Sequence, residues 1–198
     1  GGSCFQKDIL NLVYLCGHYG LHEVAAYWQS VVDLNAWQQH RIARIVVDKL
    51  FGTVSGKKIA ILGFAFKADT NDTRESPAIR ICLDLIQEGA CLKIYDPKVQ
   101  MDQISSDLRT VPSSCEDLEG KATGTWTLSA DPYEASEGAD AIVVLTEWHS
   151  FSNLDWGQIV RRMRKPSWLF DTRSITNINQ AMLNGLNIWK LGWSNNDN

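Results

Sequence analysis

The sequence predicts an α/β protein: a Rossmann-like parallel sheet with helices on both faces, preceded by a short helix and a long spine helix. Three observations predict it. Buried-strand runs recur from residue 57 onward in "KKIAILGFAF", "CLKIYDP", "DAIVVLTEW" and "SWLFDTR". Helical stretches separate them, and strand–helix alternation is the mark of a parallel sheet. Before residue 57 the pattern is helical only.

The elements follow in order. Residues 4–16 read as a short helix, because Ile9, Leu12, Val13 and Cys16 recur at helical spacing, with Ser3 as N-cap. Gly17 and Gly20 break it. Residues 21–50, free of Pro and Gly, read as one helix about 45 Å long. Its seam runs through Val24, Trp28, Val31, Asn35, Ile42, Ile45 and Lys49, with Val32, Val46 and Leu50 beside it. That length exceeds what one small domain needs. The helix is either a spine linking two domains or packing on a second copy of itself, or a helix wrapped by its own domain. Then comes the strand Ile59–Leu62. "ESPAIRICLDLIQEGA" is a helix with Ser76 as N-cap, Pro77 in its first turn, an inner face of Ile79, Cys82, Leu83 and Ile86, and Gly89 as its end. "CLKIYDP" is a strand stopped by Pro97. Residues 100–130 are polar and weakly patterned and read as a surface excursion. "DPYEASEGA", "LDWGQIVRRM" and "NINQAMLNGL" are helices, "DAIVVLTEW", "SWLFDTR" and "NIWKLG" strands, and "WSNNDN" a frayed end.

Composition narrows the function classes. The 198 residues are 44% hydrophobic and 21% charged, enough for one sizeable core. A net charge of −4 argues against a broad nucleic-acid or anionic-membrane surface, while leaving room for a local basic pocket. No apolar run approaches the ~18 residues of a membrane span, and no signal peptide opens the chain. The five cysteines are odd in number, irregular in spacing and without CxxC, which speaks against a disulfide framework and a zinc site. A reducing compartment, the cytoplasm, is the simplest reading. Cys16 and Cys82 fall on apolar helical faces and read as small core residues.

Ligands of such sheets bind beyond the C-terminal ends of the strands, so "GFAFKADTNDTRES", "DPK", "TEWHSF" and "DTRS" carry the chemistry. The first stands where a dinucleotide fold would carry G-x-G-x-x-G and does not match it. It offers Lys67 and Arg74 as side-chain phosphate ligands and Phe66 as a stacking ring. The same cations could instead pair with Asp69, Asp72 or Glu75. Arg173 lies two residues past a strand, on the sheet edge of Lys67. At the start, Gly1 and Gly2 allow close approach of a ligand. Cys4 sits in a first helical turn, where unpaired N–H groups and the dipole favour a thiolate. Lys7 adds a cation, and Asp8 shares the face of Cys4. A buried cap-region cysteine is the other reading of Cys4.

Taken together, "GGSCFQKDILNLVYLC", "ILGFAFKADTNDTRES", "YDPKV", "DPYEA", "LTEW" and "FDTR", in this order, resemble the UDP-glucose 6-dehydrogenase family through essentially the whole chain. The resemblance implies an NAD-dependent enzyme that oxidises the C6 alcohol of UDP-glucose to UDP-glucuronate. It implies Cys4 as nucleophile, through a thiohemiacetal and a thioester, and Asp8 as the carboxylate assisting water or proton movement. It implies substrate contacts at Gly1, Phe66, Lys67 and Arg173, nicotinamide contacts along Cys4, Phe5, Gln6 and Lys7, and an NAD contact at Arg74. No metal is expected. Residues 1–56 would supply the catalytic-cysteine helix and a dimer-forming helix, and residues 57–198 the UDP-sugar-binding domain. The family's N-terminal NAD-binding domain is absent from this chain, so the expectation is a C-terminal portion, inactive alone. Two alternatives stand beside it: a relative acting on GDP-mannose or a UDP-N-acetyl sugar, and a non-catalytic nucleotide-sugar-binding or dimerisation module.

Overall fold

The alternation is present in the computed structural model, which describes residues 2–114 and 124–193. Among the described residues, six strands form one sheet: β1 (Lys58–Leu62), β2 (Cys91–Tyr95), β3 (Thr125–Leu128), β4 (Ala141–Val144), β5 (Trp168–Asp171) and β6 (Asn187–Lys190). Their order is β3-β2-β1-β4-β5-β6, and every neighbouring pair is parallel. The helices are α1 (Ser3–His18), α2 (His22–Lys49), α3 (Pro77–Gln87), α4 (Met101–Leu108), α5 (Pro132–Ala135), α6 (Trp156–Arg162) and α7 (Ile178–Leu183), with a 3-10 helix at His149–Asn153.

Strands β1 and β4 are unbroken apolar runs because both their faces are covered: Ile59–Leu62 and Ala141–Val144 are fully buried. Right-handed crossovers put α3 and α4 on one face and α6 and α7 on the other. Helix α2 packs on α3 and extends the first layer. Helix α3 starts where Ser76 accepts a hydrogen bond from the Ala78 N–H, with Pro77 in the first turn. Its buried face is Ala78, Ile81, Cys82, Leu85 and Ile86. Cys82 and Ile86 were expected there; Ile79 and Leu83 are only partly buried at its flank.

Three expectations are corrected. The N-cap of α1 is Gly2, at φ +92°, and Ser3 is already helical. Only Ile42, Ala43 and Val46 of α2 are buried, so its seam does not run into one core. Val31 and Val32 instead face a groove between α1 and α2, while Val24, Asn35 and Lys49 are exposed. At 28 residues α2 is about 42 Å long, and only its last third is clothed by the domain. Residues 100–130 are no mere excursion. Helix α4 buries Ile104 and Leu108, one turn apart, and β3 pairs with β2 as an edge strand. Residues 115–123, Cys115 among them, lie outside the described residues, as do 194–198. Among the described residues no helix is long and apolar enough to cross a membrane.

The strand order reverses between β1 and β4, the position where open α/β sheets bind ligands. Gly63 leaves β1 there at φ +92°, and a Cβ on it would lie 2.4 Å from Thr146 Cβ. Gly63→Ala is expected to destabilise the chain by roughly 3 kcal/mol in urea unfolding, from positive φ and overpacking together. Gly17→Ala, inside α1 with open space around it, is expected to be neutral or stabilising. Equal effects at the two positions would contradict this account of the switch point.

Candidate active site at the strand ends

The crevice is organised by the carboxylate of "DPK", to which the sequence reading gave no role of its own. Asp96 follows β2 and is buried, 6% exposed. Its Oδ2 accepts hydrogen bonds from Phe64 N at 2.7 Å, Ala65 N at 3.0 Å and the Trp148 indole at 3.1 Å. Its Oδ1 accepts from Lys98 N at 2.9 Å and Val99 N at 3.0 Å. The loops after β1, β2 and β4 are therefore tied to one residue. The signal was present in "YDPK": an Asp whose side chain bonds backbone two and three residues on is an Asx turn. The contacts from β1 and β4 are non-local and leave no mark in the sequence.

The loop after β1 is braced further. Phe66 N donates to Asp72 O at 3.0 Å. From the β2–α4 side, Lys98 Nζ donates to Asp69 O at 3.1 Å, and Gln103 Nε2 donates to Asn71 O at 2.8 Å and to Thr73 Oγ1 at 2.9 Å. Arg74 binds Asp72 bidentately, Nε to Oδ1 at 2.9 Å and Nη2 to Oδ2 at 2.7 Å. Of the two readings of this loop, the internal pair is the one present for Arg74. That hydrogen bonding holds the Asp72 carboxyl at about 2, below its ordinary 3.8, and raises the Arg74 guanidinium. Lys67 forms no ion pair among the described residues. Its Nζ sits 5.2 Å from the Phe66 ring centroid, and its side chain is exposed.

Arg173 reaches across to the same loop. Its Nη2 donates to Phe66 O at 3.3 Å and its Nε to Leu145 O at 2.8 Å. The turn that carries it is fixed by buried Asp171, which accepts from Arg173 N at 3.0 Å, Thr176 N at 3.0 Å and Thr176 Oγ1 at 2.7 Å. Arg173, Phe66 and Lys67 are thus brought to one edge at the ends of β1 and β5, as expected.

Helix α1 joins this edge through Gly2. Gly2 N donates to Glu75 O at 3.3 Å, and a Cβ on Gly2 would lie 3.0 Å from Phe66 ring atoms. A larger residue there would be strained by the positive φ and would crowd the Phe66 ring by a few tenths of an ångström. Cys4 is exposed in the first turn, so the buried-cap reading does not hold. Phe5, Lys7 and Asp8 are exposed as well, and Gln6 is half-buried. Phe5 and Gln6 line the groove against α2. Gly1 lies outside the described residues.

A dinucleotide does not fit the sheet's own switch point. The Phe64 and Ala65 N–H groups that could face a pyrophosphate are spent on Asp96, and Thr146 fills the space beside Gly63. The acidic residue after β2, which in dinucleotide folds takes the ribose, is turned inward. What the edge does offer is cations, an aromatic ring and loop carbonyls. Among the described residues, no group of three His, Cys, Asp or Glu side chains could hold a metal ion.

The family model "UDP-glucose/GDP-mannose dehydrogenase family, UDP binding domain" matches residues 60–178. A UDP-glucose 6-dehydrogenase of Drosophila melanogaster is 48% identical over 192 residues, 97% of this chain and 40% of that protein. That of Mus musculus is 54% identical over 175 residues, 88% of this chain and 35% of that protein. The chain thus spans about two fifths of the length of the curated relatives it matches. In fold, it resembles a UDP-glucose dehydrogenase from the archaeon Pyrobaculum islandicum, with a TM-score of 0.69 at 23% identity over 96% of this chain and 37% of that one.

Two outcomes are expected here. Asp96→Ala strands five N–H groups and should lower stability by on the order of 3 kcal/mol in urea, with the m-value unchanged; an unaltered midpoint would refute the hub. The Asp72 carboxyl, followed by NMR, should titrate near pH 2 and move back toward 3.8 in Arg74→Ala. Because its folded-state value is depressed, the pair supports the loop in full above pH 3.8 and is lost as pH falls through about 2.

Proposed function

This chain belongs to the UDP-glucose/GDP-mannose dehydrogenase family, and on that premise we propose that it is the UDP-sugar-binding and nucleophile-bearing part of an NAD-dependent UDP-glucose 6-dehydrogenase. The observation that carries the proposal is the joint at Phe66. Gly2 lies on its ring and Arg173 bonds its carbonyl. A thiol in the first turn of α1 and the cations of the crevice are therefore positioned by one residue.

In this reading Lys67 and Arg173 hold the diphosphate or sugar hydroxyls, and Phe66 and Gly1 shape the sugar subsite. Cys4 carries the covalent chemistry. An aldehyde at C6 has no hydride-donating alcohol, so the Cys4 thiolate adds to its carbonyl carbon and makes a thiohemiacetal that can be oxidised. Its oxidation leaves a thioester on Sγ. Water attacks that carbonyl, the C–S bond breaks, and the thiolate leaves with the carboxylate product formed. Asp8, one turn along the same face, orients that water or takes its proton. NAD, when bound, would supply the acceptor for the two hydrides. The residues that fit it are Cys4, Phe5, Gln6 and Lys7 in the first turn of α1 and Arg74 in the adjoining loop, with no pyrophosphate cradle among the described residues. The 198 residues alone are expected to bind UDP-sugar without turning it over. The exposed apolar residues of α2, among them Tyr27 and Leu34, suit the homodimer expected of the long helix. The setting proposed is the cytoplasm.

The test is protection of Cys4 from alkylation, read by mass spectrometry. UDP-glucose at ten times its Kd should slow the reaction about tenfold. GDP-mannose and UDP-N-acetyl sugars at equal concentration should leave it unchanged. Equal protection by all, or by none, would overturn the assignment.

A further inference from the structure

We propose that Glu147 is a positioning residue that aims Arg173 at its ligand. The inference rests on the crevice reading above and gives a role to a residue that lies within "TEWHSF" but received none from the sequence.

Arginine has five N–H groups in a fixed fork. In Arg173, Nε is used by Leu145 O at 2.8 Å and one Nη2 hydrogen by Phe66 O at 3.3 Å. Both bonds fall on one edge of the guanidinium. Among the described residues nothing engages Nη1, so the opposite edge is left for a ligand. Two carbonyl bonds alone would let a long side chain swing. Glu147, two residues beyond Leu145 on the same loop, supplies what they lack. Its Oε2 is sealed from solvent, has no hydrogen-bond partner, and lies 3.4 Å from Arg173 Nε. At that distance the contact is ionic and longer than a good N–H···O bond. The Arg173 cation is its compensation. If the guanidinium turned away, Oε2 would lose the cation that faces it, although the Glu147 side chain as a whole is 40% exposed, so the pair is partly rather than fully shielded. The carboxylate therefore pins Nε in place, and pinning Nε fixes where Nη1 points. An anion such as a diphosphate then meets a donor pair already oriented, with little side-chain freedom left to lose.

The test uses the 198-residue chain and two ligands, UDP and uridine, by calorimetry. Glu147→Ala should weaken UDP binding roughly tenfold, and Glu147→Gln, which keeps the shape without the charge, should weaken it in the same direction. Uridine, which lacks phosphate, should bind all three chains alike. In the Arg173→Lys background, Glu147→Ala should change UDP affinity by less than about twofold, because the group it positions is gone. Without any ligand, the Arg173 Nε–H should exchange with solvent faster in both Glu147 variants. UDP affinity unchanged in both variants, losses that multiply with Arg173→Lys, or an equal loss for uridine would each overturn the proposal. If the unaltered chain fails to bind UDP, the crevice reading falls and this proposal with it. If UDP binds and Glu147 does not matter, only this proposal falls.

Discussion

Everything at the C-terminal edge of the sheet hangs on the carboxylate of Asp96. It gathers N–H groups from the loops after β1, β2 and β4, which no other described side chain does. A buried carboxylate is costly to desolvate, and hydrogen bonds from several backbone donors are what make it tolerable. The consequence is twofold. The loops become rigid enough to hold Phe66, Lys67 and Arg173 in one place. The same bonds consume the donors and the acid with which a sheet of this order would grip a dinucleotide. One interaction thus closes the ordinary use of the fold and makes the edge available for a side-chain site.

The second constraint is glycine at Gly2. Its positive φ and its contact with the Phe66 ring let α1 begin against the loop after β1. Helix α1 then runs beside α2, whose last third is buried on α3. The thiol helix is therefore fastened to the domain at two places: at its start through Phe66 and Glu75, and through its partner helix through Ile42, Ala43 and Val46. Much of the rest of the hairpin presents apolar side chains outward, with Phe5 67% and Leu34 63% exposed.

The sheet was legible from sequence because fully buried parallel strands need unbroken apolar runs, and "IAIL" and "AIVV" have no other easy reading. Helix α3 was legible from Ser76, Pro77 and Gly89, whose roles are local. Helix α4 and β3 were not: α4 buries two side chains in eight residues, and β3 is a four-residue edge with two threonines. The phase of α2 was legible at Trp28, Val31, Val32, Ile42, Ile45, Val46 and Leu50, while Val24, Asn35 and Lys49 of the same seam are exposed, because periodicity says which residues share a face and not what covers it. At the site, Cys4, Phe66, Lys67 and Arg173 stood out by residue type after a strand or at a helix start. Arg74 stood out equally, yet its pairing with Asp72 is decided by loop conformation. Asp96 and Gln103 matter through partners 30 to 52 residues away, and Glu147 through Arg173 on another loop, which spacing does not encode; Asp171, whose partners lie two and five residues on, left a local signal that went unread.

The central claim is that a uridine diphosphate seats where β1, β4 and β5 end. Backbone amide shifts followed during a UDP titration test it most directly. The largest changes should cluster at residues 63–67, 145–148 and 172–174. A titration whose largest changes fall instead in the α1–α2 groove, around Gln6 and Asn35, or one that moves no amide at all, would contradict the account.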